Sequence, residues 1–126
     1  MIGKLVTEPK VLIAAHKACM DFYSGPEFQC SPRAPFPSMD EFTNPAHAVY
    51  AAYEGTEIVA VCIMQGNRAL WYNSPPDKFV EAAALLKDII VADMGPLTGH
   101  VENPKARELF VKATGAQGDG PKLRFY

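Results

Sequence analysis

Between His47 and Asn73 the apolar residues gather into three short runs, "AVYAAYE", "EIVAVCIM" and "ALWYN", separated by Glu54-Gly55-Thr56 and Gln65-Gly66-Asn67. Short glycine-containing links between β-rich runs predict an antiparallel meander. The middle run is almost continuously apolar, the pattern of a central strand covered on both faces. Elsewhere the period changes. In "PKVLIAAHKACMDFY" Val11, Leu12, Ala15, Ala18, Cys19 and Phe22 recur at helical spacing. They predict a helix to about Tyr23, N-capped by Thr7, with Glu8 and Pro9 in its first turn and Gly25-Pro26 as its stop. "DKFVEAAALLKDIIVADMG" puts Phe79, Ala82, Ala83, Leu86, Ile89 and Ile90 on one face of a longer helix that Gly95-Pro96 ends.

The remaining stretches are shorter. "GKLVT" predicts a first strand, "SMDEFTN" a short helix capped by Ser38, and "LTGHV" a strand. "PKARELFVKATGA" predicts a helix, and "PKLRFY" a last strand after "QGDG". Pro26, Pro32, Pro35 and Pro37 exclude regular structure from the loop 24–37. Such a loop is a lid, a partner surface or a plain connector. The order is β–α–(loop, short α)–β–β–β–α–β–α–β. It defines an α/β (α+β) chain, with a mixed sheet of six to seven strands and about four helices.

Composition narrows the class. A chain of 126 residues, 48% hydrophobic and 21% charged, suits one globular domain over 1–126. A net charge of −2 argues against a broad electrostatic grip on nucleic acid or anionic lipid. No apolar run has the length of a signal peptide or a membrane span, so the expected location is cytoplasmic. The cysteines Cys19, Cys30 and Cys62 are odd in number and form no C-x-x-C, which fits a reducing compartment. Cys19 and Cys62 sit in apolar runs and read as core, whereas Cys30 lies in the loop. The histidines His16, His47 and His100 are dispersed, with no Glu or Cys at ligand spacing, so no metal site is expected.

With its element order and "GHVENPKARELFVKATGA", the chain resembles the GNAT acetyltransferase superfamily. The likeness runs over 1–126 and is densest from Val49 to Ala116. In that family the strand after the long helix leads to an Asn. The following helix carries Ala, Leu and Tyr and closes with Gly and an apolar residue. The matching residues are Asn103, Ala106, Leu109 and Gly115-Ala116. The family Tyr falls on Phe110 counted from Asn103, or on Val111 counted back from Gly115. The family's glycine-rich pyrophosphate loop corresponds to "WYNSPPDKFVEAAA", which has no glycine and in which Pro75 and Pro76 remove two N–H donors. In "CIMQGNRALWYNS" and the Gly-Ala ending, the chain is similar to small GNAT-like proteins of short-tailed bacteriophages, among them an internal virion protein.

The resemblance implies two classes of function. One is an acyl-CoA-dependent N-acetyltransferase acting on an amine of a protein or small molecule. Acetyl-CoA would then be held by Ser74, Lys78 and Asn103, with His100 or Tyr72 moving protons. The other is a non-catalytic protein with a degenerate acetyl-CoA loop and no cofactor. It would bind a protein partner, a host enzyme or a virion component, with Phe28 and Phe36 of the loop as contacts. Neither nucleic acid nor membrane is an expected partner. Each site residue has a structural alternative. Tyr72 is equally a packed aromatic, His100 a strand histidine satisfied by backbone, and Asn103 the N-cap before Pro104.

Overall fold

A computed structural model of the chain describes residues 1–22 and 34–126. The expected end of the first helix at Tyr23, its Gly25-Pro26 stop, Cys30, Phe28 and most of the proline-rich loop lie outside those residues. The elements are β1 (Ile2–Val6), α1 (Pro9–Asp21), α2 (Met39–Thr43), β2 (His47–Glu54), β3 (Glu57–Gln65) and β4 (Arg68–Asn73). A 3-10 turn (Pro76–Lys78), α3 (Phe79–Met94), β5 (Leu97–His100), α4 (Pro104–Thr114) and β6 (Lys122–Phe125) follow. The chain is a mixed α+β fold. Its six-stranded sheet runs β1-β2-β3-β4-β5-β6 in sequence order, and every neighbouring pair is antiparallel except β4 and β5, which are parallel.

The alternation of β2 and β3 sends side chains to both faces, and both faces are covered. Val49, Ala51, Val61 and Ile63 pack with Val6, with Ala15 and Cys19 of α1, and with Phe42 of α2. Tyr50, Ala52, Ala60, Cys62 and Met64 pack on the opposite side with Phe79, Ala82, Ala83, Leu86 and Ile90 of α3 and with Ala106 and Phe110 of α4. The Tyr50 hydroxyl donates to Asp93 Oδ2 at 3.2 Å and fixes the far end of α3 to β2. Burial pushes the Cys19 and Cys62 thiols up to about 12, so both stay protonated core side chains at neutral pH.

One helix start differs from expectation. Glu8, not Thr7, is the N-cap of α1, with extended backbone (φ −74°, ψ 131°) and Pro9 as the first helical residue. The residue before a proline is pushed out of the helical region, so Glu8 must stay outside the helix. Its carbonyl accepts the N–H groups of Val11 and Leu12, both at 3.0 Å.

The pairing of β3 with β4 contains a bulge that matters for the site. Met64 pairs with Ala69, and Ile63 with Trp71, leaving Leu70 as the extra residue. Strict alternation would put Ala69 and Tyr72, three apart, on opposite faces. The bulge instead turns both toward α3 and α4, while Trp71 packs on the α1 side.

Candidate functional site

The pairing of β4 with β5 is two residues long, Arg68 with Thr98 and Ala69 with Gly99. Beyond it lies a small cavity reached by residues of β3, β4, α3, β5, α4 and β6, where a cofactor arm is expected from the resemblance. A cluster of four aromatic rings packs beside it, three of which, Tyr72, Phe110 and Phe125, line the cavity. Phe110, from the buried face of α4, lies 5.2 Å from Tyr72, 4.9 Å from Phe79 and 6.0 Å from Phe125, ring centre to ring centre. Tyr72 meets Phe79 edge-on at 5.0 Å. Gly99 makes the room: a Cβ at that position would stand 3.3 Å from Phe125 Cε1. The space left is about 60 Å³, lined by Tyr72, Leu86, Gly99, His100, Val101 and Phe110 among others. Ligand pockets usually begin near ~300 Å³. The remainder has room for a few water molecules, not for an extended cofactor arm.

Tyr72 and His100 both border this cavity, whereas Ser74, Lys78 and Asn103 do not. The Tyr72 hydroxyl donates to the Phe79 carbonyl at 2.7 Å inside the core. That bond joins the end of β4 to the start of α3. Ser74 is buried, and its Oγ donates to the Pro75 carbonyl at 3.2 Å. The Lys78 ammonium lies 2.9 Å from Oε1 of Glu54, the last residue of β2. The hydrogen bond that the ammonium donates to Glu54, and then the charge of that carboxylate, hold Lys78 above the usual lysine range.

The approach to α3 is poor in anion donors. Pro75 and Pro76 have no N–H. The N–H of Lys78 is spent on the Pro75 carbonyl at 3.1 Å, and that of Phe79 on the Pro76 carbonyl. A phosphate cradle needs several N–H groups aimed outward from a helix start. Asp77 adds a negative charge to the same turn.

Asn103 is the N-cap of α4. Its Oδ1 accepts from the Lys105 N–H at 2.8 Å and the Ala106 N–H at 3.1 Å, and Pro104 holds the first helical position. At the other end Gly115 adopts φ +70°, a left-handed stop that a side chain would strain. Asn103→Ala is expected to cost about 1 kcal/mol, seen as a lower urea midpoint with an unchanged slope. Asn103→Asp, which keeps an accepting oxygen, should recover most of that loss.

His100 is exposed at the end of β5, and its Nε2 contacts Glu102 Oε1. Glu102 was missed by the reading of the sequence. The available signal was the alternate spacing in "HVE", which places both side chains on one face of an extended segment. Among the described residues no group of three His, Cys, Asp or Glu side chains could hold a metal ion, and no helix is long and apolar enough to cross a membrane. Phe36 is half-buried against the α1-side core rather than presented outward. No family model matches the chain, and no curated protein matches it in sequence.

Proposed function

We propose that the chain is a GNAT-like protein, of the kind small bacteriophage proteins resemble, whose cofactor cleft is closed and which acts by binding another protein. A host enzyme to be modulated, or a component of the virion, is the expected partner. The observation that supports this reading is the ring cluster Tyr72–Phe79–Phe110–Phe125, packed beside the small cavity at β4 and β5 where the resemblance would put an acyl-CoA arm. Supporting it are the element order, the short parallel pairing of β4 with β5, and the scarcity of outward N–H donors before α3.

A second reading, an acyl-CoA-dependent N-acetyltransferase acting on an amine, is favoured by one feature. The His100–Glu102 pair at the edge of the cavity is a histidine oriented by a carboxylate, an arrangement suited to a general base. Titration calorimetry with acetyl-CoA and with CoA separates the two. The closed cleft predicts no saturable heat at near-millimolar ligand. Micromolar binding that is weakened in Lys78→Ala would establish the second reading and remove the first.

A further inference from the structure

The half of the sheet formed by β4, β5 and β6 has one face under α3 and α4 and the other open to solvent. Leu97, Gly99, Leu123 and Phe125 point under the helices and are buried. The alternate positions point the other way. Arg68 pairs with Thr98, Thr98 with Arg124, and His100 with Lys122. Residues in register, and residues two apart on one strand, share a face. Arg68, Arg124, Lys122 and His100 therefore stand together on it, and all are exposed. Arg68, Thr98, Gly99, His100 and Lys122 line a groove of about 290 Å³ there.

Among the described residues no carboxylate pairs with Arg68, Lys122 or Arg124, whereas His100 is taken by Glu102. Three unpaired cations on one strip of sheet are unexpected for scattered charge in a chain of net charge −2. Neighbouring positions on the strip lie about 7 Å apart along β6 and about 10 Å apart across the strands. An extended segment with a carboxylate at every second residue repeats its charge at the same ~7 Å. Nucleic acid suits the strip less well. Among the described residues the groove has no aromatic ring besides the His100 imidazole on which bases could stack, Glu102 stands beside it, and the net charge repels a long polyanion.

We infer that the open face of β4–β6 is a docking surface for an acidic, extended segment of a partner protein, held by Arg68, Lys122 and Arg124. The inference rests on the binding reading for its partner being a protein, and not on the closed cleft, with which the groove shares Gly99 and His100 at the edge of β5. The test is fluorescence anisotropy on the full chain with a labelled alternating Glu-Ser peptide. Its Gln-Ser counterpart, a single-stranded oligonucleotide and a duplex are the comparison probes.

The Glu-Ser peptide should bind with an affinity that falls as salt rises, and the Gln-Ser peptide should not bind. Arg68→Glu with Arg124→Glu should weaken binding by roughly tenfold or more, whereas Lys112→Glu on α4 should leave it unchanged. All these positions are exposed, and circular dichroism of each variant checks that it folds. Equal binding of the two peptides, no binding of either, or no effect of the double reversal would overturn the inference. Tighter binding of an oligonucleotide than of the Glu-Ser peptide would overturn it in favour of nucleic acid. Heat with acetyl-CoA would remove the closed-cleft reading and leave this one standing. Failure of the peptide would do the reverse.

Discussion

The Phe110→Ala protein is expected to lose about 3–5 kcal/mol of unfolding free energy in a urea titration, with little change in slope. Phe110 is 7% exposed and touches three other rings, one each from β4, α3 and β6. Removing it deletes the ring contacts with all three at once and merges its volume with the existing space of about 60 Å³. The surrounding backbone belongs to strands and helices fixed by their own hydrogen bonds, so the gap can collapse only in part. A whole domain is usually stable by no more than about 5–15 kcal/mol, so the variant should stand close to unfolding. A loss under about 1 kcal/mol would mean that the ring is not packed, and that the place between β4 and β5 is open to a ligand after all.

The helical and strand periods account for most of what was legible in the sequence. The meander could be read because Gly55 and Gly66 mark its turns, and both have positive φ, 62° and 59°. The inward faces of α1 and α3 followed from residues three and four apart. Asn103, Pro104 and Gly115 marked both ends of α4 because each residue type satisfies a specific need of a helix terminus.

What escaped the reading depends on contacts distant in the chain. Leu70 is an ordinary leucine in a strand-like run, and nothing local says that it is the extra residue of a bulge. Without that bulge Tyr72 would be assigned to the wrong face. The narrowing of the cavity beside β4 required β5 and β6 to bring Gly99 close to the Phe125 ring, a meeting of residues 26 apart in sequence. Asn103 was open to two interpretations at the sequence level. Its two backbone hydrogen bonds give the capping one its physical basis. The open basic strip was hidden for a different reason. Arg68, Lys122 and Arg124 are remote in sequence, and only the register across β4, β5 and β6 assembles them.

Ile63→Ala, on the other side of the sheet, is expected to cost about 2–5 kcal/mol. Ile63 has no exposed surface and sits between Val49 on β2 and Trp71 on β4, beneath α1. The two faces share the strands but not the side chains, since Ile63 and Phe110 belong to separate clusters. Milder versions, Ile63→Val and Phe110→Leu, should therefore add to within about 0.5 kcal/mol when combined. Trp71 is the single tryptophan and packs on the Ile63 side, so its fluorescence reports that face while circular dichroism reports the whole. In Ile63→Ala both signals should move to lower urea together, because β2 and β3 carry both clusters and neither face can open without exposing the other. A fluorescence transition that moves alone would mean that α1 and its cluster peel from the sheet before the α3–α4 side gives way. The β4–β6 strip lies on the α1 face of the sheet, but its own strands are held by the Phe110 cluster. In that event peptide binding should survive the first transition and vanish with the second.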